Sequence, residues 1–362
     1  MKRAVLPALL GVAIGFSSAF GTARAESPPS MWDRARDQNA SYTYRIHLQV
    51  QQRLAQEGNV SDRDALAVLA MLEDAKAEVS PDVRLRFDLG RVYEILGRID
   101  ARYYVRSANV LKLALRDAPD HPMAERAWLT LAFACGHAGE RVCERDAYLE
   151  VLKRTTEQVL CATPMHNLAE AEMHLGNLAE SIDILRELLR ITQQAPVSRE
   201  SVPLAVWNLA VALDRSGDFL AAEEQARFAV ELERSMGMNP SPDHISALLH
   251  MHDLVFFVPA YEIYWYEGIG AVALAKSTKN PAESARLWRI AEQAFAMYLE
   301  RSAGREASEQ SDKWAEIARA RFSAITAERM QAERRARTQT AQSGKKKPSL
   351  RAPRDTDDSI TP

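Results

Sequence analysis

Several histidines and carboxylates in this chain are grouped closely enough to do chemistry. His250-Met251-His252, with His244 upstream, offers imidazoles of the kind that bind transition metals. On a helix, however, side chains two positions apart diverge by about 200°. His250 and His252 cannot readily reach one ion, and no metal is expected there. His166 and His174 stand two helical turns apart among Glu170 and Glu172, a grouping that suits a polar groove lining better than a metal. The His-Glu-x-x-His zinc motif, the nucleophile elbow, the P-loop and the dinucleotide fingerprint do not occur in the sequence. The other carboxylates are spread at helix-surface spacing, where solvation or i,i+4 pairing accounts for them. The residues point to a protein without catalysis, metal or cofactor.

Bulk properties narrow the field further. The chain has 362 residues, 47% hydrophobic and 26% charged, which excludes wholesale disorder and collagen-like structure. A net charge of −3 excludes a nucleic-acid binder that works by bulk charge. Three cysteines exclude a disulfide scaffold and a multi-cysteine zinc module.

The small net charge hides a division along the chain. Lys2 and Arg3 precede an apolar run from Ala4 to Phe20, and Ala23-Arg24-Ala25 follows with the small residues that signal peptidase selects. Residues 1–25 are therefore expected to be a signal peptide cleaved after Ala25. The alternative is an uncleaved anchor, but the run is short and holds two glycines and two serines. No later run is long enough to span a bilayer. The expected product is exported, periplasmic or secreted, with no membrane span after cleavage. Residues 26–39 read as an N-terminal linker. Residues 331–362 carry eight basic and four acidic side chains with almost no large apolar ones, and read as a disordered basic tail.

Between these ends the apolar residues recur at three- and four-residue spacing, which predicts helices throughout residues 40–330 and an all-α fold. One helical pattern repeats. Arg86-x2-Leu89-Gly90-x2-Tyr93 precedes Gly97, and Trp128-x2-Leu131-Ala132-x2-Cys135 precedes Gly139. Met165-x2-Leu168-Ala169-x2-Glu172 precedes Gly176, and Val206-x2-Leu209-Ala210-x2-Leu213 precedes Gly217. A weaker copy is Tyr264-x2-Glu267-Gly268-x2-Ala271. The apolar positions fall on one helical face. The small residue lets a second helix approach closely, and the glycine supplies a positive φ that closes the first helix. Residues 40–56 and 62–78 look like a degenerate first hairpin, with Ser61 and Asp64 as a capping box.

In this register Cys135 lies near the end of one helix and Cys143 near the start of its partner, at the same end of the hairpin. Cys161 begins the next repeat, at the opposite end. In an oxidising compartment the expected bridge, if one forms, is Cys135–Cys143. Three unbridged buried thiols are the alternative.

The pattern resembles the tetratricopeptide repeat (TPR), a helix–turn–helix unit that stacks into a superhelical solenoid. Successive small positions are 42, 37, 41 and 58 residues apart, against about 34 in that family. Glu144 stands where a small residue is expected, and Glu172 where tyrosine is usual. The resemblance implies a concave groove lined by the first helix of each repeat. Carried onto this sequence, its lining is Arg84, Phe87, Arg91, Glu94, Arg126, Leu129, Phe133, His166, Glu170, Met173, Trp207, Val211, Asp214, Trp265 and Ile269. The alternative, strongest for Trp207 and Trp265, is that longer repeats and the capping helix fill the groove and make these residues core. The Lys and Asn arrangement by which some family members clamp a C-terminal carboxylate is missing. A C-terminal capping helix is expected over about 307–330, with Trp314, Ile317, Ala318, Phe322 and Ile325 as its apolar stripe.

Six aromatics between Phe256 and Tyr266 read either as core or as an aromatic shelf at the end of the groove. The expected function is a non-catalytic scaffold of the cell envelope, holding another envelope or secreted protein by a peptide or helix in the groove. The alternative is a protein that binds envelope polymer, peptidoglycan or polysaccharide, because aromatics also suit sugars and a basic tail suits anionic polymer.

Overall fold

Thirteen α-helices carry the helical period in the computed structural model of the chain, which describes residues 31, 38–55, 60–155, 161–193, 200–251, 255–304 and 313–345. They are α1 (Gln38–Leu54), α2 (Asp62–Asp74), α3 (Val83–Leu96), α4 (Arg102–Asp117), α5 (Ala124–His137), α6 (Arg141–Arg154) and α7 (Ala162–Leu175). The chain continues through α8 (Leu178–Thr192), α9 (Ser201–Ser216), α10 (Phe219–Ser235), α11 (Ile263–Ser277), α12 (Pro281–Ala303) and α13 (Ala315–Lys345). No strand occurs among the described residues, and no helix there is long and apolar enough to cross a membrane.

Each helix packs chiefly on its neighbours in sequence, so the fold is an α-helical solenoid of antiparallel hairpins. First helices also touch first helices of adjacent hairpins: α1 meets α3, α3 meets α5, α7 meets α9, and α9 meets α11. This row of first helices forms the inner face. The core divides along the stack into three clusters, around Leu72 and Tyr93, around Leu131 and Tyr148, and around Trp207 and Trp265.

The small positions of the repeat do what their size allows. A Cβ on Gly90 would sit 2.4 Å from Leu111 of α4, and one on Gly268 would sit 2.6 Å from Phe295 of α12. Glu144, the charged residue at an expected small position, is accommodated by Gly136 on the facing helix. A Cβ there would lie 2.7 Å from the Glu144 carboxylate. The bulk has moved from one helix to the other while the helix spacing is kept.

Three of the turn glycines close their helices as expected. Gly139, Gly176 and Gly217 have φ of +75°, +93° and +92°. Behind Gly176 and Gly217, the amides of Asn177 and Asp218 reach back to the carbonyls of Glu172 and Leu213. Gly97 differs: its φ is −56°, and its lack of a side chain makes room for the Tyr104 ring, 2.2 Å from where a Cβ would be. Ser61 caps α2, accepting the Asp64 amide at 3.1 Å.

The C-terminal boundary is a correction. The expected tail begins at 331, but α13 continues to Lys345. Ala332 is buried, and Arg329 spans Glu292 of α12 and Glu333 of α13. A sequence rich in Arg and Gln, with alanines at helical spacing, lies along α12 as a capping helix. Trp314, Ala318 and Ile325 face the core as expected. Residues 1–25, nearly all of the expected linker, residues 305–312 and residues 346–362 lie outside the described residues.

Candidate functional site

The inner face carries the expected groove positions, but a partner could reach few of them. Phe87, Met173, Trp207, Val211, Asp214, Trp265 and Ile269 are all buried. For Trp207 and Trp265 this is the core alternative; for the others it corrects the expectation that they line an open groove. Phe87 is buried against the α4–α5 connection, its ring 5.4 Å from that of His121. Two later segments cover Trp207, Asp214 and Trp265, and neither belongs to the repeat pattern.

The first cover is the long connection from α10 to α11, residues 236–262. Two buried carboxylates hold it. Glu233 of α10 accepts the Trp207 indole N–H at 2.7 Å and the Ser246 hydroxyl at 2.6 Å, while its other oxygen takes the amides of Ala247 and Leu248. Glu267 of α11 accepts the amide of Ile245 at 2.7 Å and faces His250 Nε2 at 3.0 Å. The His250 ring lies against the His244 ring, with centroids 3.8 Å apart. The far end of the connection reaches α5 and α6. Phe256 stacks on His137 with centroids 4.0 Å apart, and Arg141 donates to the Val258 carbonyl beside the cis Val258–Pro259 peptide. His252 lies outside the described residues.

The second cover is the start of α13 and the residues before it. Arg321 lies 2.9 Å from the Asp214 carboxylate, which also accepts the Trp265 indole N–H at 3.0 Å. Burial pushes the Asp214 carboxyl up to about 6 against the opposing pull of Arg321 and Trp265. Arg215 pairs with Glu262 in full burial and stacks between the rings of Trp265 and Trp314. Nothing in the repeat spacing announces these partners. A charged residue at the buried end of a helix is their only trace in the sequence.

A cleft remains where the inner row is widest, between α5, α7, α9 and the covering connection. Its volume is about 330 Å³. Three expected groove residues, Phe133, His166 and Glu170, line it together. Asn167 and Asn208, which were not expected, and Tyr266 of the aromatic run complete its polar wall, and Phe256 and Phe257 form its rim. Asn208 bridges the wall: its amide nitrogen lies 3.0 Å from His166 Nε2, and its oxygen accepts the Tyr266 hydroxyl at 2.7 Å. Burial holds the His166 imidazole below its ordinary value, which favours the neutral ring that this bond requires.

Glu170 sets the charge of the cleft. Burial alone would raise its carboxyl, but contact with His174 and the charges of Arg141, His174 and His166 outweigh that and hold it at about 2. It is a fixed anion beside aromatic rings and amides, with Arg141 behind it.

Toward the N-terminal end, the inner face carries arginines outside the cover. Arg126 is exposed, and Arg91 is half-buried with its guanidinium 3.1 Å from the Leu54 carbonyl. Burial and the nearby charge of Arg126 lower Arg91 to about 10. Arg84 pairs with Asp82 at 2.8 Å and lies over the Tyr44 ring. Glu94 and Leu129 are half-buried between these arginines and the core.

The aromatic run divides between its two readings. Trp265, Tyr266 and Tyr261 are core, whereas Phe256 is exposed at the cleft rim. The cysteines take the expected arrangement: Cys135 and Cys143 are bridged, and Cys161, at the start of α7, is outside the bridge.

No protein-family model matches the chain, and no curated protein is significantly similar to it. Among solved structures, the chain is similar to the crystal structure of BtubC (BKLC) from P. vanneervenii, at 17% identity and a TM-score of 0.40. That match covers 58% of this chain and 87% of the other.

Proposed function

We propose that this protein is an exported, TPR-like scaffold without catalytic activity, holding an extended segment of another envelope or secreted protein against its inner face. The cleft carries this reading. It brings three of the groove positions expected from the repeat register, Phe133, His166 and Glu170, into one open concavity. Aromatic walls with a few fixed polar groups suit the capture of side chains from a partner. Arg91 and Arg126 extend the same face and favour a partner segment that is acidic where it leaves the cleft.

The test is affinity capture from the native envelope fraction with the full exported chain. Phe133→Ala and Arg126→Glu should each reduce recovery of a specific protein at least about tenfold, with helical circular dichroism unchanged. Trp207→Ala serves as a contrast. Its ring is core, so it should lower stability by about 3–5 kcal/mol rather than weaken capture selectively. Recovery unaffected by both cleft and arginine variants would overturn the reading. Co-sedimentation with purified peptidoglycan or polysaccharide, lost in Phe133→Ala, would move the site to the polymer class instead.

A further inference from the structure

The histidines of the covering connection find a different partner from the one their spacing suggested. His250 cannot share an ion with His252 if both are helical, but the fold brings His250 to His244 and to Glu267 of α11. One donor atom from each of these three residues lies within 4.8 Å of the other two. His250 Nε2 and a Glu267 oxygen are already 3.0 Å apart. Neighbouring ligand atoms around a tetrahedral zinc ion with bonds of 2.0–2.1 Å are about 3.3 Å apart. That pair therefore stands close to the edge of a coordination polyhedron. His244 is exposed, so its ring can turn to complete the third corner at little cost.

We infer that His244, His250 and Glu267 form a binding site for a divalent transition-metal ion of the zinc type. The donor set favours that class, since imidazole suits zinc, nickel and copper, whereas calcium and magnesium prefer all-oxygen sites. Glu267 supplies the one anionic ligand beside two imidazoles, a mixed set that zinc accepts. Glu267 is also oriented from behind: its second oxygen accepts the Ile245 amide at 2.7 Å, the kind of outer bond that fixes a carboxylate ligand. His244 lies at the surface, which leaves a further coordination position for water or a partner's side chain. An ion here would tie residues 244–250 to α11 and so fix the connection that roofs the cleft.

The experiment titrates Zn²⁺ into the full exported chain, free of any affinity tag, stripped with chelator and kept without reductant so that Cys135–Cys143 stays bridged. The expected result is one ion bound per chain and a rise in the unfolding temperature with Zn²⁺. Bound Co²⁺ should show the visible absorption of a low-coordinate site. His244→Ala, at the surface, should fold normally and weaken binding at least about tenfold. His250→Ala should do the same, while Cys161→Ser should leave binding unchanged. The absence of saturable binding, or binding unaltered by His244→Ala and His250→Ala, would overturn the assignment.

Discussion

Glu170 illustrates how position decides the behaviour of a single carboxyl. Its value of about 2 lies below the ordinary 4.5, so the folded state binds this proton less readily than the unfolded chain. The stability it contributes is therefore complete above pH 4.5 and is lost as pH falls toward 2. His166 and His174, both lowered from 6.5 by burial, act in the same direction from higher pH. Glu170→Gln should cost about 3 kcal/mol at neutral pH, with the difference from wild type vanishing toward pH 2. Urea unfolding at pH 7, 4.5 and 3 checks this; a difference that stays constant with pH would contradict the charge assignment. The identity of Glu170 as an inner-face residue was legible from the repeat register. Its ionisation was not, because it depends on Arg141, which sits on a different hairpin. The same holds for Trp207 and Trp265. Their inner-face register was readable, but their burial depends on Glu233, Asp214 and Arg321, which the repeat spacing does not connect to them.

At the scale of the element, hairpin geometry was the most legible feature. Small residues after the central leucine of each repeat and glycines at the turns encode helix spacing and helix ends locally, so they can be read without knowing the tertiary neighbours. Gly90 tests that reading. In isolation, alanine is the better helix former by about 1 kcal/mol. Here its Cβ would come 2.4 Å from the branch carbon of Leu111, which cannot swing clear as a flexible chain end would. Gly90→Ala should therefore destabilise by about 1–3 kcal/mol, overpacking outweighing propensity. Equilibrium denaturation measures it, and a stabilised variant would show that α3 and α4 have room to separate. Glu144 marks the limit of element-level reading. The position looked like a break in the pattern, and only the pairing with Gly136 across the hairpin shows it to be a displaced copy of the same rule.

For the molecule as a whole, the solenoid was predictable and its closure was not. Neighbour-to-neighbour packing follows from the repeat, whereas the connection over residues 236–262 and the long α13 are single features without a period to detect. Composition misled at the C-terminal end because an Arg- and Gln-rich helix that buries only a narrow alanine edge resembles a solvated tail. Ala332 and the Arg329 pairs show that residues beyond 330 belong to the fold. Ending the chain after Met330 should lower stability by about 1–2 kcal/mol through lost apolar burial. Thermal unfolding of the shortened and full chains compares them directly; identical midpoints would place the fold boundary back at 330.

The contact between Arg141 and the Val258 carbonyl joins residues 117 positions apart in a molecule assembled chiefly from neighbours. Local contacts of this kind form quickly, and a chain that emerges N-terminus first builds them in order. Each hairpin up to α10 can close as soon as its own two helices are present. The roof of the cleft has to wait for about a hundred further residues after α6 ends at Arg154. Until that segment has emerged, Glu233 lacks the partners it takes from Ser246, Ala247 and Leu248, and the inner face is without its roof. A chaperone or partner acting in that interval meets a different surface from the one the finished molecule presents.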